Sequence, residues 1–182
     1  MRKTLAIAFV LACSLCNTVN AQPSDPNSIR DQMVKDWQRA KEYTQSYMDA
    51  MPADKYGFKA VDSIRSFAEQ LLHLAQGTIF LSSYGLDKKN PWMFNLETSP
   101  GAASKDSVMY YVNASYDFVI EGLQAIDPMK MSETVSMGAP GTPSATKYAW
   151  INKAFEHQTH HRGQATIYIR LVGIRPPGEK LF

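Results

Sequence analysis

The histidines of this chain are the residues whose types and spacing point most directly to chemistry. The chain has 4 histidines: His73 stands alone, and His157, His160 and His161 share one short run. On a helix, His157 and His161 would lie one turn apart and face the same side. With His73 from another helix, they could offer three imidazole nitrogens to one divalent metal ion. Three protein ligands leave a coordination position open, as in catalytic rather than structural zinc sites.

Each histidine also has a plainer interpretation, in which it only makes hydrogen bonds in the core or on the surface. For His73 alone, that interpretation is the simpler one. It fits the pair on the last helix less well, because two inward imidazoles repel when charged and need separate partners when neutral. A shared cation removes both difficulties. His160 points about a quarter-turn away from the pair, so we do not expect it to be a ligand.

The spacing of the pair matches the zinc-protease motif His-Glu-x-x-His, but the chemically decisive residue is missing. That motif uses a glutamate directly after the first histidine as general base, whereas Gln158 occupies this position here. A side-chain amide cannot take up the proton, so the sequence disfavours a peptidase of that class. The chain also lacks a Gly-x-Ser-x-Gly elbow, a phosphate-binding Gly-x-x-x-x-Gly-Lys loop and a dinucleotide fingerprint.

Helical periodicity predicts the elements that must carry these histidines. Apolar residues recur at helical spacing over residues 29–51, 62–84, 105–126 and 143–172. Long loops at residues 86–101 and 127–142 connect the last three helices and are expected to shape any pocket. The sequence therefore predicts an all-α fold, an up-down-type four-helix bundle with long crossover loops. Metal sites in such bundles are built from inward side chains on facing helices.

Local signals predict where two of these helices begin. Asp62 or Ser63 is expected to cap the second helix by accepting from its exposed first-turn amides, which would place Ile64 in the buried stripe. Thr142 followed by Pro143 is a typical start for the fourth helix. The loop before it, residues 127–142, shows no strand pattern and is predicted to lack regular structure.

Four further residues suggest how the helices meet. Gly77 costs about 1 kcal/mol of helix stability relative to alanine, which makes sense if a bulky group approaches there, one turn from His73. Gly163 is expected to permit close helix approach. Arg162 is expected to tie the fourth helix to a carboxylate on a neighbour, with binding of an anionic substrate as the alternative. Gln164 could orient an imidazole by a hydrogen bond from outside the ligand shell.

Residues 1–21 have the pattern of an export signal. Arg2 and Lys3 precede an apolar run that is too short to span a bilayer, and a small-residue cleavage site ends at Ala21. We therefore expect an exported protein, periplasmic or extracellular. The alternative is a lipoprotein anchored at Cys13, because the residues before this cysteine loosely resemble a lipoprotein signal.

The remainder of the chain is expected to form one domain. Residues 22–28 are polar and interrupted by prolines and are predicted to form a short tether, which leaves residues 29–182 as the helical domain. Cys13 and Cys16 both precede the predicted cleavage site, so the mature protein would have no disulfide and no thiolate nucleophile. No segment after the signal is apolar and long enough to span a membrane.

The charge balance bears on the partners of the protein. The chain has 19 Lys and Arg residues against 17 Asp and Glu, and two of the basic residues lie in the predicted signal. The mature net charge is therefore near zero. The chain has no excess of positive charge that would attract nucleic acid or an anionic membrane surface. We therefore expect no nucleic-acid partner. A small-molecule substrate would suit the open coordination position of the metal ion.

Two blocks of the sequence resemble a known family. The first runs from His157 to Gln164, reads His-Gln-Thr-His-His-Arg-Gly-Gln, and is followed by Tyr168, Arg170, Gly173 and Pro176-Pro177. The second, residues 66–75, reads Ser-Phe-Ala-Glu-Gln-Leu-Leu-His-Leu-Ala. Together they resemble the DinB/YfiT-like superfamily, the DinB family, over about residues 29–177. The first block is quite specific, and the second alone would be weak.

The resemblance implies a four-helix bundle in which His73, His157 and His161 hold a divalent metal ion, commonly zinc or nickel, and often a homodimer. Members with known activity include thiol-dependent transferases and isomerases, in which the metal activates a small thiol. An exported member would meet few of the thiol cofactors of the cytosol, which makes this chain unlike the typical member.

Three functions remain open at this point. The first is a metal-dependent enzyme, a hydrolase or thiol transferase, in which the ion lowers the pKa of bound water or thiol to about 7. The sequence identifies no catalytic acid or base for it. The second is a non-catalytic metal- or ligand-binding bundle of the cell envelope. The third is a structural helical module whose histidines merely pack.

Overall fold

Four long helices form the fold. The computed structural model describes residues 25–182. Its helices are α1 (Pro26–Ala50), α2 (Phe67–Leu86), α3 (Lys105–Ala125) and α4 (Lys147–Leu171). Helices α1 and α2 each pack against both α3 and α4, which confirms the predicted all-α four-helix bundle. The predicted signal peptide at residues 1–21, the alternative anchor at Cys13 and residues 22–24 of the predicted tether lie outside the described residues.

Helix α1 begins earlier than the periodicity predicts. The backbone N–H of Asn27 donates to Asp25 Oδ1 over 3.1 Å, and Pro26 occupies the first helical position. A proline is well suited to this position because its missing N–H would have no partner there. The predicted tether therefore becomes helical from Pro26 onward, and the expected start at Ile29 was three residues late.

Helix α2 begins later than predicted, because a stronger cap lies further along the chain. The Ser66 hydroxyl accepts from the N–H of Glu69 over 3.1 Å, and the Glu69 carboxylate accepts from the N–H of Ser66 over 2.6 Å. This reciprocal capping box satisfies two N–H groups at once. The expected cap at Asp62 or Ser63 was wrong, and Ile64 is exposed rather than part of the buried stripe.

The fourth helix also begins later, because the residues before it pair with another segment. Strand β1 (Thr134–Ser136) pairs antiparallel with β2 (Ser144–Thr146), with Val135 opposite Ala145. Thr146 then caps α4 by accepting from the N–H of Ala149 over 3.2 Å. The expected start at Pro143 and the expected lack of regular structure at residues 127–142 were both wrong, since the loop also contains a 3₁₀ turn at Pro128–Ser132.

The core is built around aromatic side chains from three helices. Trp37 of α1 is buried and packs edge-on against Tyr116 of α3, at 5.8 Å between ring centroids, and against Phe155 of α4, at 5.2 Å. Such edge-to-face pairs each add about 0.5–1.5 kcal/mol beyond the burial of their area. The Tyr116 hydroxyl also contacts Thr44 Oγ1 over 2.6 Å, so α1 and α3 are joined by polar as well as apolar contacts.

Glycines allow α2 and α4 to lie close together along the groove that contains the histidines. A Cβ atom at Gly85 would meet the side chain of Ile151 and, at 2.7 Å, the backbone oxygen of Lys147. Gly77, two turns earlier on the same face of α2, is covered by another α4 side chain, His157. At the end of the groove, the Lys147 ammonium pairs with Asp87 over 2.7 Å. The two helices are thus held at a fixed short spacing.

None of the helices formed by residues 25–182 combines the length and the hydropathy that a membrane span requires.

The capping box predicts which of two nearby serines stabilises the fold. Ser66→Ala should lower the free energy of unfolding by about 1 kcal/mol, because the first turn of α2 loses an acceptor. Ser63→Ala, an exposed serine in the preceding loop, should stay within about 0.5 kcal/mol of the parent. Urea denaturation followed by circular dichroism measures both. Equal losses in the two variants would contradict the assigned start of α2.

Candidate metal centre

The three histidines singled out by spacing converge in one place. His73 lies in the middle of α2, and His157 and His161 lie one turn apart on α4. Ring centroids are 4.4 Å apart for His157 and His161, 4.7 Å for His73 and His161, and 5.3 Å for His73 and His157. One ring nitrogen from each residue can be chosen so that all three lie within 4.8 Å of one another. A single cation between them is therefore within reach of all three.

Gly77 makes this convergence possible. The imidazole of His157 lies against the backbone of α2 at Gly77, in the space that a Cβ atom would occupy. The expected approach of a bulky group at Gly77 is thus confirmed, and the group is one of the three histidines. The expectation for Gly163 was wrong, because this glycine is exposed and has no neighbour within 4 Å of an added Cβ.

Glu97 fixes the orientation of His73. The carboxylate oxygen Oε1 lies 2.8 Å from His73 Nδ1, and Oε2 accepts from Arg65 Nε over 2.7 Å. Because a carboxylate only accepts, the proton of the imidazole resides on Nδ1 and the lone pair on Nε2 is available for a cation. A carboxylate behind a histidine is the usual support of a metal-binding imidazole.

Glu97 was not predicted, because it lies in an irregular connection where no periodicity applies. It belongs to a short 3₁₀ turn, Leu96–Thr98, which Gln76 of α2 holds in place. The Gln76 amide donates to the Phe94 carbonyl over 3.2 Å and accepts from the N–H of Leu96 over 3.0 Å. The turn of α2 that follows His73 therefore positions the carboxylate that supports His73. The one available signal was an acidic residue in a loop already expected to shape the pocket.

Two glutamines connect His161 with His160. Gln70 Nε2 lies 2.7 Å from His161 Nδ1, and the same amide contacts Gln164. The Gln164 amide in turn lies 2.7 Å from His160 Nε2. Gln164 thus contacts an imidazole, as its position suggested, but its direct partner is the exposed His160. His160 packs edge-on against His161 and lies outside the group of three.

Burial favours the neutral form of the His157 and His161 imidazoles. Burial, followed by the charges of His157 and His73, lowers the pKa of His161 from 6.5 to about 3. Burial is also the main cause that lowers the pKa of His157, against which a hydrogen bond with the His73 carbonyl acts only in part. A neutral imidazole carries the free lone pair that a metal ion requires, so the lowered pKa values favour the ligand form of His157 and His161 at neutral pH.

A cavity opens beside the cluster on the Glu97 side. Its volume is about 760 Å³, and Gln70, Glu97 and Gln164 contribute to its wall. Charged groups in the wall are paired, since Lys59 Nζ lies 3.0 Å from the Glu69 carboxylate. The remaining wall residues mix polar and apolar side chains: Ser63, Ile64, Arg65, Asn95, Thr98, Ile167 and Tyr168. The cavity has the size of a small-molecule site.

Arg162 and Gln158 face the core rather than the cluster. The Arg162 guanidinium stacks over Tyr43 at 4.6 Å and donates to Gln158 Oε1 over 2.8 Å. The expected ion pair of Arg162 with a carboxylate was therefore wrong. Gln158 also accepts from the Tyr116 hydroxyl over 2.8 Å. The position that would hold the general base of a zinc protease is thus occupied by a buried structural amide.

Comparisons with known proteins identify the group of proteins to which these features belong. The family model described as the DinB family matches residues 19–181. A DinB-like protein from Bacillus cereus ATCC 10987 has a similar structure, with 17% identity and a TM-score of 0.69 over 82% of this chain and 97% of that one. No curated protein sequence matches this chain.

Two further solved structures have the same fold. A DinB-like protein from Bacillus subtilis has 17% identity and a TM-score of 0.62, covering 83% of this chain and 96% of that one. A conserved protein from Enterococcus faecalis has 18% identity and a TM-score of 0.62, covering 78% and 95%. At these identities the structural likeness concerns the fold alone.

The contact at Gly77 predicts opposite effects for two helical glycines. Gly163→Ala should stabilise the protein by about 1 kcal/mol, because alanine favours an exposed helix. Gly77→Ala should instead lower the free energy of unfolding by about 1–3 kcal/mol, because the methyl group displaces the His157 ring. Urea denaturation of the metal-free variants measures both. Equal stabilisation in the two variants would show that α2 and α4 lie further apart than described.

The pKa of His161 predicts a pH dependence of stability for the metal-free protein. The unfolded chain binds a proton near pH 6.5, whereas folded His161 binds it only near pH 3, so the unfolded state takes up more protons between these values. The free energy of unfolding should therefore be at its highest level above about pH 6.5 and should decline as the pH falls toward about 3. His161→Gln should flatten this decline in urea denaturation. Parallel profiles for both proteins would refute the lowered pKa.

Proposed function

This chain belongs to the DinB family, and we propose that it is a metal-dependent enzyme that holds one divalent ion through His73, His157 and His161. A single observation carries the proposal: three ring nitrogens from two facing helices lie within 4.8 Å of one another. Such a convergence places three possible metal ligands around one point, and a single cation can be held by all three.

The donor set fits a borderline divalent metal ion. Neutral imidazoles suit zinc, nickel, copper and iron, whereas magnesium and calcium prefer oxygen ligands. We propose zinc or nickel. Residues 25–182 bring three such donors together and no fourth. This leaves a position for water or substrate, which favours a catalytic over a purely structural site. When bound, the ion would supply Lewis acidity, which makes a water or substrate thiol at that position a better nucleophile at neutral pH.

The residues around the three rings would hold them ready for the ion. Glu97 keeps the proton of His73 on Nδ1 and so directs Nε2 inward. His161 differs, because its Nδ1 faces Nε2 of the Gln70 amide, which is a donor. If Nε2 of His161 binds the ion, Nδ1 must carry the proton, and Gln70 must present its amide oxygen to it. Because Gln70 Nε2 also donates to Gln164, rotation of both amides by half a turn would provide that oxygen without any movement of the backbone.

The cavity next to the rings is proposed to bind a small molecule. Its wall contains the side chains that support two of the histidines, so a bound molecule would lie beside the open metal position. The nucleophile is proposed to come from solvent or substrate, because both cysteines precede the predicted cleavage site. Hydrolysis and thiol transfer are the two reaction classes that this arrangement supports. We assign no side chain as catalytic acid or base.

We further propose that the protein acts in the periplasm or the extracellular space. This proposal rests on the pattern of an export signal at residues 1–21. The near-zero charge expected for the mature chain supports a small-molecule substrate rather than nucleic acid. The DinB resemblance also implies a homodimer, which we retain as a proposal. A non-catalytic metal- or ligand-binding role in the cell envelope is the alternative, and turnover distinguishes the two.

Elemental analysis of the purified protein tests the ligand assignment. We expect about one divalent ion per chain in the parent, and loss of that ion in His73→Ala, His157→Ala and His161→Ala, because each variant removes a donor. His160→Ala is the matched control, since it removes a neighbouring imidazole outside the group of three, and should retain the ion. Zinc and nickel titrations of the metal-free proteins measure the affinities.

One result of this comparison would refute the ligand assignment. Equal metal content in the parent and in the three ligand variants, with circular dichroism spectra unchanged, would show that the ion is held elsewhere or that the histidines only pack. Hydrolytic and thiol-transfer substrates should then be screened with metal-loaded and metal-free protein. Metal binding without metal-dependent turnover across that screen would favour the non-catalytic alternative.

A further inference from the structure

An exposed cleft with several aromatic side chains lies along the part of α2 that follows His73. It is lined by Phe80, Tyr84, Trp92, Met93 and Phe94 and has a volume of about 570 Å³; we call it the aromatic cleft. Three of these side chains are well exposed: Phe80 at 40%, Met93 at 89% and Phe94 at 49%. Contiguous apolar surface of this kind marks an interaction site more often than isolated exposed residues do.

The aromatic cleft is preformed, because the rings at its base are anchored on the rest of the bundle. Tyr84 packs on Trp150 of α4, at 5.1 Å between ring centroids. Trp92 packs edge-on against Tyr111 of α3 at 5.3 Å. Phe80 in turn packs edge-on against Tyr84 at 5.6 Å. A ligand would therefore meet rings that need little further ordering, which lowers the entropic cost of binding.

The aromatic cleft adjoins the residues that support the metal centre. Phe80 lies one turn of α2 beyond Gly77, the residue on which His157 packs. Gln76 ties the Phe94 carbonyl to α2 and also holds the turn that carries Glu97. The same connection thus supplies both the support of His73 and a wall of the aromatic cleft.

Several polar side chains around the aromatic cleft are already engaged in hydrogen bonds. Gln76 uses both ends of its amide on the backbone of residues 94–96. Asn90 and Asn95 accept from the backbone N–H groups of Trp92 and Glu97. Lys88, the charged residue in the lining, donates to the Phe118 carbonyl over 3.2 Å and lies over the Phe118 ring at 4.2 Å. What remains for a ligand is chiefly the faces and edges of aromatic rings, including those of Tyr84 and Trp92.

We propose that the aromatic cleft binds an aryl group, or a similarly flat and uncharged apolar group, of a small molecule whose other end reaches the three-histidine centre. This inference rests on the proposed metal site and adds a substrate class to it. Flat rings stack on aromatic side chains at favourable offset or edge-on geometry. The mixed polar cavity on the Glu97 side would then receive a more polar portion of the same molecule, since Asn95 lines both spaces.

Hydroxamates separate the two parts of this proposal, because they bind metal ions through one end and can carry different groups at the other. The probes are acetohydroxamate, benzohydroxamate and 4-phenylbutanohydroxamate, titrated by calorimetry into the zinc-loaded protein. We expect at least one aryl probe to bind about tenfold more tightly than acetohydroxamate, the gain from partial burial of one ring. The two aryl probes differ in linker length and so cover different distances from the ion.

Side-chain truncation then tests whether the aromatic cleft is responsible for the tighter binding of the aryl probes. Phe80→Ala and Phe94→Ala should each remove most of the aryl preference and leave acetohydroxamate binding unchanged. Tyr148→Ala is the matched control, because Tyr148 is as exposed as Phe80, at 42% against 40%, but lies in another crevice. It should retain the full preference. Both substituted phenylalanines are exposed, so thermal melts should show that all variants remain folded.

The outcomes distinguish failure of the aromatic cleft from failure of the metal site. Equal affinity for all three hydroxamates in the zinc-loaded parent would overturn the aryl site alone. Absence of zinc binding, with no hydroxamate bound, would overturn both proposals. If Phe80→Ala and Phe94→Ala convert a dimer to a monomer in sedimentation analysis without altering aryl preference, the cleft is an interface with a second copy and the proposal is wrong.

Discussion

The close contact between α2 and α4 is the constraint on which the rest of the structure depends. At Gly77 the backbone of α2 has no side chain, and the ring of His157 occupies that space. This contact sets the spacing of the helices at the level where His73 and His161 also meet, with ring centroids 4.7 Å apart. A wider spacing would separate the three rings and let water between them. A glycine in the middle of a helix lowers its stability by about 1 kcal/mol relative to alanine. At position 77 it also leaves the room in which the His157 ring lies.

The parts of the site that follow a helical period could be predicted, and the parts in loops could not. His157 and His161 share a face because of a spacing that any helix imposes, and His73 lies on a helix whose apolar stripe is regular. Glu97 reaches His73 through the chain's path across the bundle, which no local pattern encodes. The family resemblance named the same three histidines but not the carboxylate behind one of them.

The bundle itself was predictable from periodicity, whereas three helix starts were not, and those of α2 and α4 were missed for two different reasons. At α2, several polar residues compete as caps, and Ser66 prevails because Glu69 completes a reciprocal pair of hydrogen bonds. At α4, the residues after Pro143 pair with a strand from the preceding loop, so a tertiary contact overrides a good local signal. Arg162 shows the same limit, because its guanidinium stacks on the aromatic face of Tyr43 from another helix rather than pairing with a carboxylate.

The distribution of the three histidines has a consequence for folding as well as for chemistry. Two of them lie on the last helix and one lies on the second, so an ion held by all three would cross-link distant parts of the chain. Such a cross-link would close a long loop and reduce the conformational freedom of the unfolded state, as a disulfide does. Both cysteines precede the predicted cleavage site, so a chain cleaved there could form no disulfide, and the proposed ion would be the cross-link that takes its place.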